Sequence, residues 1–236
     1  MSADSQEPAT RFASATLHWP AEITNLDQKL VVAQHAATRV EDGQIIGIGS
    51  GSNSYLVLWA IGERIKHDGL SIQIVTTSYE TETAAQTLGI PQLRLGSVEP
   101  EWGVDGADEV DPHGRLIKGR GGALFSEKIL WSTSRKMYLA VDQTKHVERL
   151  GERFPIPIEV DRRAVELLVR ELKRHRTSRY ELRLAGGKDG PVITESGNLI
   201  MDAWFDEIPH GLHAQLKAVP GVIETGLFEG YSFELL

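Results

Sequence analysis

The feature that most constrains the fold is a regular alternation of helical and strand-like segments between Leu26 and Lys145. Apolar residues at helical spacing fill residues 26–40, and a short apolar run, "IIGIG", follows directly. The alternation continues in "SYLVLWAIGERIKHDG", "LSIQIVTTS", "YETETAAQTLGI", the weaker strand "PQLRLGS", "GVDGAD", "GGALFSEKILWSTS" and "KMYLAVDQTK". Strands that alternate with helices pair in parallel, so the sequence predicts an α/β fold with a doubly wound, mostly parallel, Rossmann-like sheet.

The pattern changes after Gly151, where two prolines interrupt the chain. The segments that follow are "FPIPIEV", a helix from about Asp161 to His175, "YELRLA", the turn "GGKDG", "VITESGNLIMDAWF", a helix near Leu212 to Ala218, and "GVIETGLF". This order predicts a smaller α+β domain of the ferredoxin-like kind. We therefore expect a polar N-terminal extension (1–22), a Rossmann-like catalytic domain (23–153, completed by a short C-terminal strand at about 229–236) and a small α+β domain (154–228).

Composition excludes several classes of function. The 25 Lys and Arg residues are outnumbered by 33 Asp and Glu, which argues against a nucleic-acid surface and requires any anionic ligand to be held locally. The absence of cysteine excludes disulfides, thiolate nucleophiles and cysteine-ligated zinc, and His210 and His213 have no obvious third ligand, so no metal site is expected. No apolar run approaches the roughly 18 residues of a membrane span. We predict a cytoplasmic protein without membrane contact.

A glycine-rich turn, "GIGSGSNS" (47–54), joins a predicted buried strand to a predicted helix that Ser52 or Asn53 would cap. Backbone N–H groups and the helix N-terminus converge at such a turn and attract phosphate. The turn lacks the third glycine of the dinucleotide fingerprint and the lysine of a nucleotide triphosphate loop, so a small sugar phosphate suits it better. A tight turn without a ligand is the alternative.

A second segment, "GVDGADEVDPHGRLIKGRGGALFSEKIL" (103–130), concentrates charge and glycine. Asp105 and Asp108 lie where a parallel strand ends, the edge at which open α/β sheets bind ligands, although Asp-Gly pairs also form ordinary turns. Lys118 precedes "GRGG", whose bare N–H groups beside an ammonium could stabilise an oxyanion, or simply open the next helix.

Glu127 falls within the apolar arc of the predicted helix "GGALFSEKILW". Burying an unpaired carboxylate costs folding free energy, so an inward-directed glutamate needs a functional or structural reason. A partly desolvated glutamate has a raised proton affinity, which suits a general base. The alternative is a structural ion pair with Lys118 or Arg120. Together with the phosphate turn, this residue indicates proton abstraction next to a carbonyl, with electrostatic stabilisation of an enediolate and no cofactor.

These segments, taken in order, resemble the ribose-5-phosphate isomerase family of the A type. The resemblance covers residues 25–228 and is carried by "GIGSGSNS", "TTSYETETAAQTLGI", "DGADEVDP", "LIKGRGGALFSEKI", "AVDQTKHVERLG", "FPIPIEV" and "IPHGLHAQLKAVPGVIETGLF". It implies interconversion of D-ribose 5-phosphate and D-ribulose 5-phosphate, in the non-oxidative branch of the pentose phosphate pathway. It also implies no cofactor and a homodimer or homotetramer.

The resemblance also implies a role for each matching residue. Glu127 would shuttle the proton between C1 and C2. Asp105 and Asp108 would bind sugar hydroxyls and assist ring opening. The enediolate would be stabilised by Lys118 and by the backbone of Gly119, Gly121 and Gly122. Binding of the phosphate and the rest of the substrate falls to Lys29, Gly49, Ser50, Gly51, Ser52, Asn53 and Lys145.

Three residues depart from the family's usual pattern. Threonines usually stand where this chain has Ser50 and Asn53, and Arg120 occupies a position that is glycine in some relatives. An isomerase of a different aldose phosphate is therefore an alternative. A non-catalytic sugar-phosphate sensor is another, although it would not need Glu127. A deaminase or transferase of the same fold is a third, against which the intact "KGRG" and "DGAD" blocks argue.

Overall fold

Five parallel strands form the main sheet of the protein, which a computed structural model describes from residue 23 to residue 236. In spatial order the strands are β12 (Glu234–Leu235), β6 (Met137–Leu139), β3 (Trp102–Asp105), β1 (Ile45–Ile48) and β2 (Gln73–Thr76). The helices that connect them are α1 (Leu26–Ala37), α2 (Gly51–Asp68), α3 (Tyr79–Leu88) and α4 (Leu124–Thr133). The predicted extension at 1–22 lies outside the described residues.

Alternating side chains of the short strands supply cores on both faces of this sheet. Ile46 and Ile48 of β1 pack with buried residues of α1, α2 and α3 on one face. On the other face Gly47 meets Leu130 of α4, because a Cβ at position 47 would lie 2.3 Å from Leu130 Cδ1. The sheet is therefore covered on both faces, which confirms the predicted doubly wound α/β fold.

The second half of the chain forms an antiparallel sheet with two helices. In chain order the elements are β7 (Ile156–Val160), α5 (Val165–Arg174), β8 (Arg179–Leu182), β9 (Leu199–Trp204), α6 (Leu212–Lys217) and β10 (Val222–Thr225). The spatial strand order is β10–β7–β9–β8. A β-α-β-β-α-β chain with this order is ferredoxin-like, as predicted.

A small third sheet connects the two regions and positions the charged segment. Its strands are β4 (Glu109–Val110), β5 (Leu116–Ile117) and β11 (Leu227–Phe228), in the order β11–β5–β4. Glu109 is buried, and its carboxylate accepts hydrogen bonds from the backbone N–H groups of Gly151, Arg153 and Phe154. The exact limits of the domains stay a prediction.

Three local expectations were wrong. Helix α1 ends at Ala37, short of Val40, and "PQLRLGS" forms only an isolated bridge between Gln92 and Ile74. Neither Ser52 nor Asn53 caps α2, which begins at Gly51 and has no side-chain hydrogen bond at its N-cap within the described part of the chain. The polar side chains of this turn bind other partners, described below. No helix in residues 23–236 is long and apolar enough to cross a membrane.

Candidate active site

The glycine turn and the charged segment meet at the carboxyl ends of β1 and β3. Between them lies a cavity of about 430 Å³. Its walls are formed by Ile23, Thr24, Lys29, Ser50, Gly51, Ser52, Asn53, Gly106, Ala107, Asp108, Lys118, Gly119, Arg120, Gly121, Glu127 and Lys145. This is the edge at which open parallel sheets bind ligands.

Lys118 is the centre of a buried charge cluster in the wall of the cavity. Its ammonium donates a 2.5 Å hydrogen bond to the carbonyl of Gly106 and lies 2.9 Å from Asp105 Oδ2 and 3.3 Å from Glu127 Oε1. Asp105 also accepts hydrogen bonds from its neighbour's backbone N–H and from Trp131 Nε1. The predicted ion pair between Glu127 and Lys118 therefore exists, whereas the guanidinium of Arg120 lies over Phe154.

Burial and charge act in opposite directions on this cluster. Burial, helped by the charge of the nearby Glu127, raises the pKa of Asp105 to about 7 against the lowering effect of the Lys118 ammonium. Burial alone lowers the pKa of Lys118, but the charges of Asp105 and Glu127 outweigh it and raise that pKa above the ordinary value. Burial also raises the pKa of Asp108. Lys118 thus stays protonated near neutral pH and offers the cavity a fixed positive charge.

Glu127 belongs to the first turn of α4 and is 3% exposed. Its Oε1 accepts a 2.6 Å hydrogen bond from the Ser50 hydroxyl. Its Oε2 is buried and has no hydrogen-bond partner among residues 23–236. One oxygen is therefore fixed in place by Ser50 and Lys118, and the other is free to bind a substrate atom.

The side chains of the glycine turn are directed away from the N-terminus of α2. Ser52 accepts a 3.0 Å hydrogen bond from Lys29 Nζ, and Asn53 Nδ2 donates to the carbonyl of Ala140. The first N–H groups of α2 therefore lack side-chain caps in the described part of the chain. Uncapped N–H groups at the positive end of a long helix form a site for phosphate.

Gly49 has a structural reason for being glycine. A Cβ at this position would lie 2.1 Å from Asp105 Oδ1, so β1 and β3 could not approach each other as they do. Gly49 does not line the cavity, in contrast to Gly51, which adopts φ of 81° at the start of α2. The phosphate role expected for Gly49 therefore has no direct support in the geometry.

Three cations gather at the outer part of the cavity. Lys145 and Arg120 both stand over the ring of Phe154, at 5.6 and 5.5 Å from its centroid. Burial lowers the pKa of Lys29, Asp142 opposes that shift, and the charges of Lys145 and Arg120 lower the pKa further. The lowering of the Lys29 pKa by Lys145 and Arg120 places the three cations close together, and a bound dianion would relieve their repulsion.

The "KGRGG" loop lines the opposite side. The backbone N–H of Arg120 donates a 3.0 Å hydrogen bond to Asp108 Oδ2. Gly119 needs glycine because its φ is 103° and a Cβ would lie 2.8 Å from Leu124 Cβ. Gly121 lines the cavity, while Gly122 packs near Ile200 behind the loop.

The structure thus brings together nearly all the residues predicted for the site. Asp105, Gly49 and Gly122 lie just behind the cavity wall. Sequence reasoning missed Thr24 in the wall and Trp131, whose indole holds Asp105. The position of Trp131, one turn of helix after Glu127, was the only available signal. In the described residues, no group of three or more His, Cys, Asp or Glu side chains is arranged to hold a metal ion.

The fold and this cavity together define a Rossmann-like α/β protein whose charged cavity is suited to a small anionic ligand. The chain matches the sequence profile of ribose 5-phosphate isomerase A (phosphoriboisomerase A) over residues 73–236. The ribose-5-phosphate isomerase A of Thermosynechococcus vestitus is 43% identical over 204 residues, which are 85% of this chain and 86% of that protein. The chain therefore belongs to the ribose 5-phosphate isomerase A family, as the sequence motifs indicated.

Solved structures agree with this assignment. Ribose 5-phosphate isomerase A from Methanocaldococcus jannaschii superposes with a TM-score of 0.85 at 36% identity, covering 89% of this chain and 93% of that one. A D-ribose-5-phosphate isomerase in complex with phospho-erythronic acid superposes with a TM-score of 0.84 at 39% identity, with the same coverage of both chains.

Proposed function

We propose that this protein interconverts D-ribose 5-phosphate and D-ribulose 5-phosphate with Glu127 as the base. The observation that carries this proposal is the different hydrogen bonding of the two carboxylate oxygens of Glu127. One of its carboxylate oxygens is fixed by Ser50 and Lys118, and the other is buried at the cavity without a partner among the described residues. A desolvated carboxylate with a free oxygen is suited to removing a proton from carbon.

The phosphate of the substrate would bind at the start of α2. Residues 51–53, the first of α2, line the cavity without a side-chain cap among residues 23–236, and Lys29 and Lys145 add positive charge to the same cavity. Binding the phosphate there would place the sugar carbons toward Lys118 and Glu127, because those two residues line the same cavity. Phosphate binding then supplies the energy that positions the reacting carbons.

The reaction moves one proton between adjacent carbons. Glu127 takes the C2 proton of the open-chain aldose, the electron pair forms the C1–C2 double bond, and the C1 carbonyl oxygen becomes an oxyanion. Glu127 returns the proton to C1, while the O2 hydroxyl proton moves to O1 and the C2 carbonyl forms. Lys118 is suited to stabilising the oxyanion. Its ammonium is held in place by Gly106 and Asp105, and it lies beside Glu127 in the cavity wall, where the charge of the oxyanion would develop.

Asp108 is the residue we propose for handling hydroxyl protons. It is half-buried in the cavity wall, and burial raises its pKa, so that it can accept and return a proton more readily than an exposed aspartate. Asp105 lies behind Lys118 and accepts three hydrogen bonds, from Gly106, Lys118 and Trp131. We propose that Asp105 acts mainly by holding Lys118.

A related protein supports the choice of substrate. The isomerase that is 39% identical to this chain has been solved in complex with phospho-erythronic acid. This compound carries a phosphate at one end and a carboxylate at the other. Its carboxylate has the planar shape and negative charge of an enediolate, so a cavity that takes it has the donors the proposed reaction needs.

The decisive experiment is product formation from a panel of aldose phosphates in the presence of a chelator. Ribose 5-phosphate should be the preferred substrate, and the chelator should leave the rate unchanged, because Lys118 and backbone N–H groups supply the positive charge. Preference for another aldose phosphate would favour the alternative suggested by Ser50, Asn53 and Arg120. Loss of activity on chelation would overturn the metal-independent mechanism.

We further propose that the protein acts in the cytoplasm and assembles as a homodimer or homotetramer. Both proposals rest on the family resemblance. Sedimentation of the purified protein would test the second.

A further inference from the structure

We propose that Arg183, held by Asp202, is a positioning residue that aims the N–H groups of the "KGRGG" loop at the reacting oxygen. Arg183 follows β8 and Asp202 belongs to β9, so both come from the ferredoxin-like region and neither lines the cavity. No motif in the sequence pointed to this pair. The inference rests on the proposed function of the loop.

The guanidinium of Arg183 makes four hydrogen bonds that leave it little freedom. Nε donates to Asp202 Oδ2 at 2.8 Å, and Nη2 donates to Asp202 Oδ1 at 2.5 Å. Nη1 donates to the carbonyl oxygens of Gly119 and Arg120, at 2.9 and 2.8 Å. Both partner side chains are mostly shielded, with 17% of Arg183 and 10% of Asp202 exposed. A bidentate pair of this kind has a defined orientation and is stronger than a neutral hydrogen bond.

Because the peptide bond is planar, the hydrogen bonds of Arg183 to two carbonyl groups also fix the directions of the N–H groups that follow them. In a trans peptide the C=O and the following N–H point in opposite directions. With the carbonyl of Gly119 bound to Arg183, the N–H of Arg120 points the other way and donates to Asp108. With the carbonyl of Arg120 bound to Arg183, the N–H of Gly121 is directed away from Arg183, on the side of the loop that lines the cavity.

The N–H of Gly121 is the donor that this arrangement leaves available. It has no hydrogen-bond partner in the part of the chain that the structure describes. The loop needs external support for this orientation because Gly119 and Gly122 both have positive φ angles, and glycine residues restrict the backbone weakly. Ile200 of β9 lies close to Gly122, where a Cβ would come within 3.2 Å of Ile200 Cδ1, so the ferredoxin-like sheet contacts the loop at both ends.

The test compares two ligands that differ at the reacting end. 4-Phospho-D-erythronate carries a carboxylate there, whereas D-erythritol 4-phosphate carries a hydroxymethyl group, and both carry the same phosphate. Calorimetry would measure both affinities for wild type, Arg183→Met and Asp202→Asn. Arg179→Met serves as the matched control, because Arg179 lies on β8, four residues before Arg183, and pairs with Glu181 at the surface.

Removal of the Arg183–Asp202 pair, which we call the clamp, should selectively weaken binding of the carboxylate ligand. Removal of one oxyanion donor typically costs about 10²- to 10³-fold in rate, and misorientation should cost less. We expect Arg183→Met to bind phosphoerythronate about 10- to 100-fold more weakly and to lose kcat by a similar factor. For Arg183→Met, the affinity for erythritol phosphate and the KM for ribose 5-phosphate should each change by less than about 3-fold. Asp202→Asn should show a smaller selective loss of affinity for phosphoerythronate. The Arg179→Met control should match wild type.

Equal weakening of both ligands, or no weakening of either, in a folded variant would overturn the proposal. If Arg183→Met does not fold, the selective loss in Asp202→Asn decides the question by the same criterion. The binding measurements do not depend on turnover. A wild-type protein that binds the carboxylate ligand selectively but does not isomerise ribose 5-phosphate would therefore contradict the proposed function and leave the clamp intact.

Discussion

Ser50 donates a 2.6 Å hydrogen bond to Glu127, joining two motifs that are 77 residues apart in the chain. The contact connects the middle of the glycine turn, at the N-cap of α2, to the first turn of α4. It fixes one carboxylate oxygen of the proposed base, while the other has no hydrogen-bond partner among residues 23–236. The phosphate turn and the proton-transfer machinery are therefore parts of one structure, and a change at Ser50 should affect chemistry more than phosphate binding.

Substitution of Ser50 and Ser52 separates these two roles. Ser50→Ala removes the donor that orients Glu127, so kcat should fall by about 10-fold, the equivalent of one hydrogen bond to a charged group, with a small change in KM. Ser52→Ala is the matched control, because Ser52 accepts a hydrogen bond from Lys29 instead. It should raise KM and leave kcat nearly unchanged. Steady-state kinetics of both variants would check this, and the same effect in both would contradict it.

Gly49 and Gly51 should differ sharply in their tolerance of a methyl group. A Cβ at position 49 would overlap the carboxylate of Asp105, so Gly49→Ala must separate β1 from β3 or displace Asp105. We expect a loss of at least about 3 kcal/mol of unfolding free energy, at or above the upper end of the usual range for overpacked cores. At position 51 a Cβ meets nothing within 4 Å among residues 23–236, so only the strain of positive φ remains, about 1 kcal/mol. Denaturant unfolding of both variants would measure the difference.

Removal of the Lys118 ammonium should make stability depend on pH. Lys118→Met leaves the carboxylates of Asp105 and Glu127 buried without their cation, a change that typically costs about 3–5 kcal/mol. In wild type Lys118 lowers the pKa of Asp105, which burial raises to about 7, so this pKa should rise further in the variant.

A carboxyl group whose folded pKa lies above its unfolded value destabilises the protein fully above the folded pKa. The penalty disappears as the pH falls toward the unfolded value of 3.8. Below about pH 7 Asp105 is protonated in both folded proteins and contributes the same penalty to each, so the stability difference between wild type and Lys118→Met should change little from pH 4 to pH 7 and grow as the pH rises above 7. Urea unfolding at several pH values would measure this, and a constant difference would contradict the buried charge cluster.

Lys29 should act through its charge on the phosphate. Because burial and the neighbouring cations lower its pKa, it loses its proton at a lower pH than an exposed lysine does. The value of kcat/KM for wild type should therefore fall as the pH is raised above neutral, since this parameter reports the free enzyme. In Lys29→Arg the guanidinium stays charged, so the decline should move to higher pH. Lys29→Ala should raise KM more than it lowers kcat, and an unchanged KM would remove Lys29 from the site.

Much of the fold was predictable because local signals agreed with the global architecture. Alternating strands and helices specified the parallel sheet, and the ferredoxin-like order followed from the segments after Gly151. The cap of α2 was not predictable, because the hydroxyls of Ser50 and Ser52 bind Glu127 and Lys29, which are distant in sequence. Local sequence favours a cap, and tertiary contacts override it.

The site was predictable where function requires unusual residues in fixed order, as at Lys118 and Glu127. The residues that hold the site in place could not be predicted from the sequence. Trp131 and Arg183 look like ordinary core and surface residues in the sequence, and only the packing of distant elements shows that they hold Asp105 and the "KGRGG" loop. The structural reason for Gly49, the close approach of β1 to Asp105, is likewise a long-range contact.

The central claim is that Glu127 moves the proton. Glu127→Gln keeps the size of the side chain and the hydrogen bond from Ser50 but removes the base. In deuterated water, wild type should incorporate solvent deuterium at C1 of ribulose 5-phosphate as the protonated glutamate exchanges. The folded variant should still bind the sugar phosphate, while its turnover and deuterium incorporation fall by at least about 100-fold. Near-normal turnover with incorporated deuterium in a variant of reduced melting temperature would show instead that Glu127 is a structural partner of Lys118, and would contradict the account.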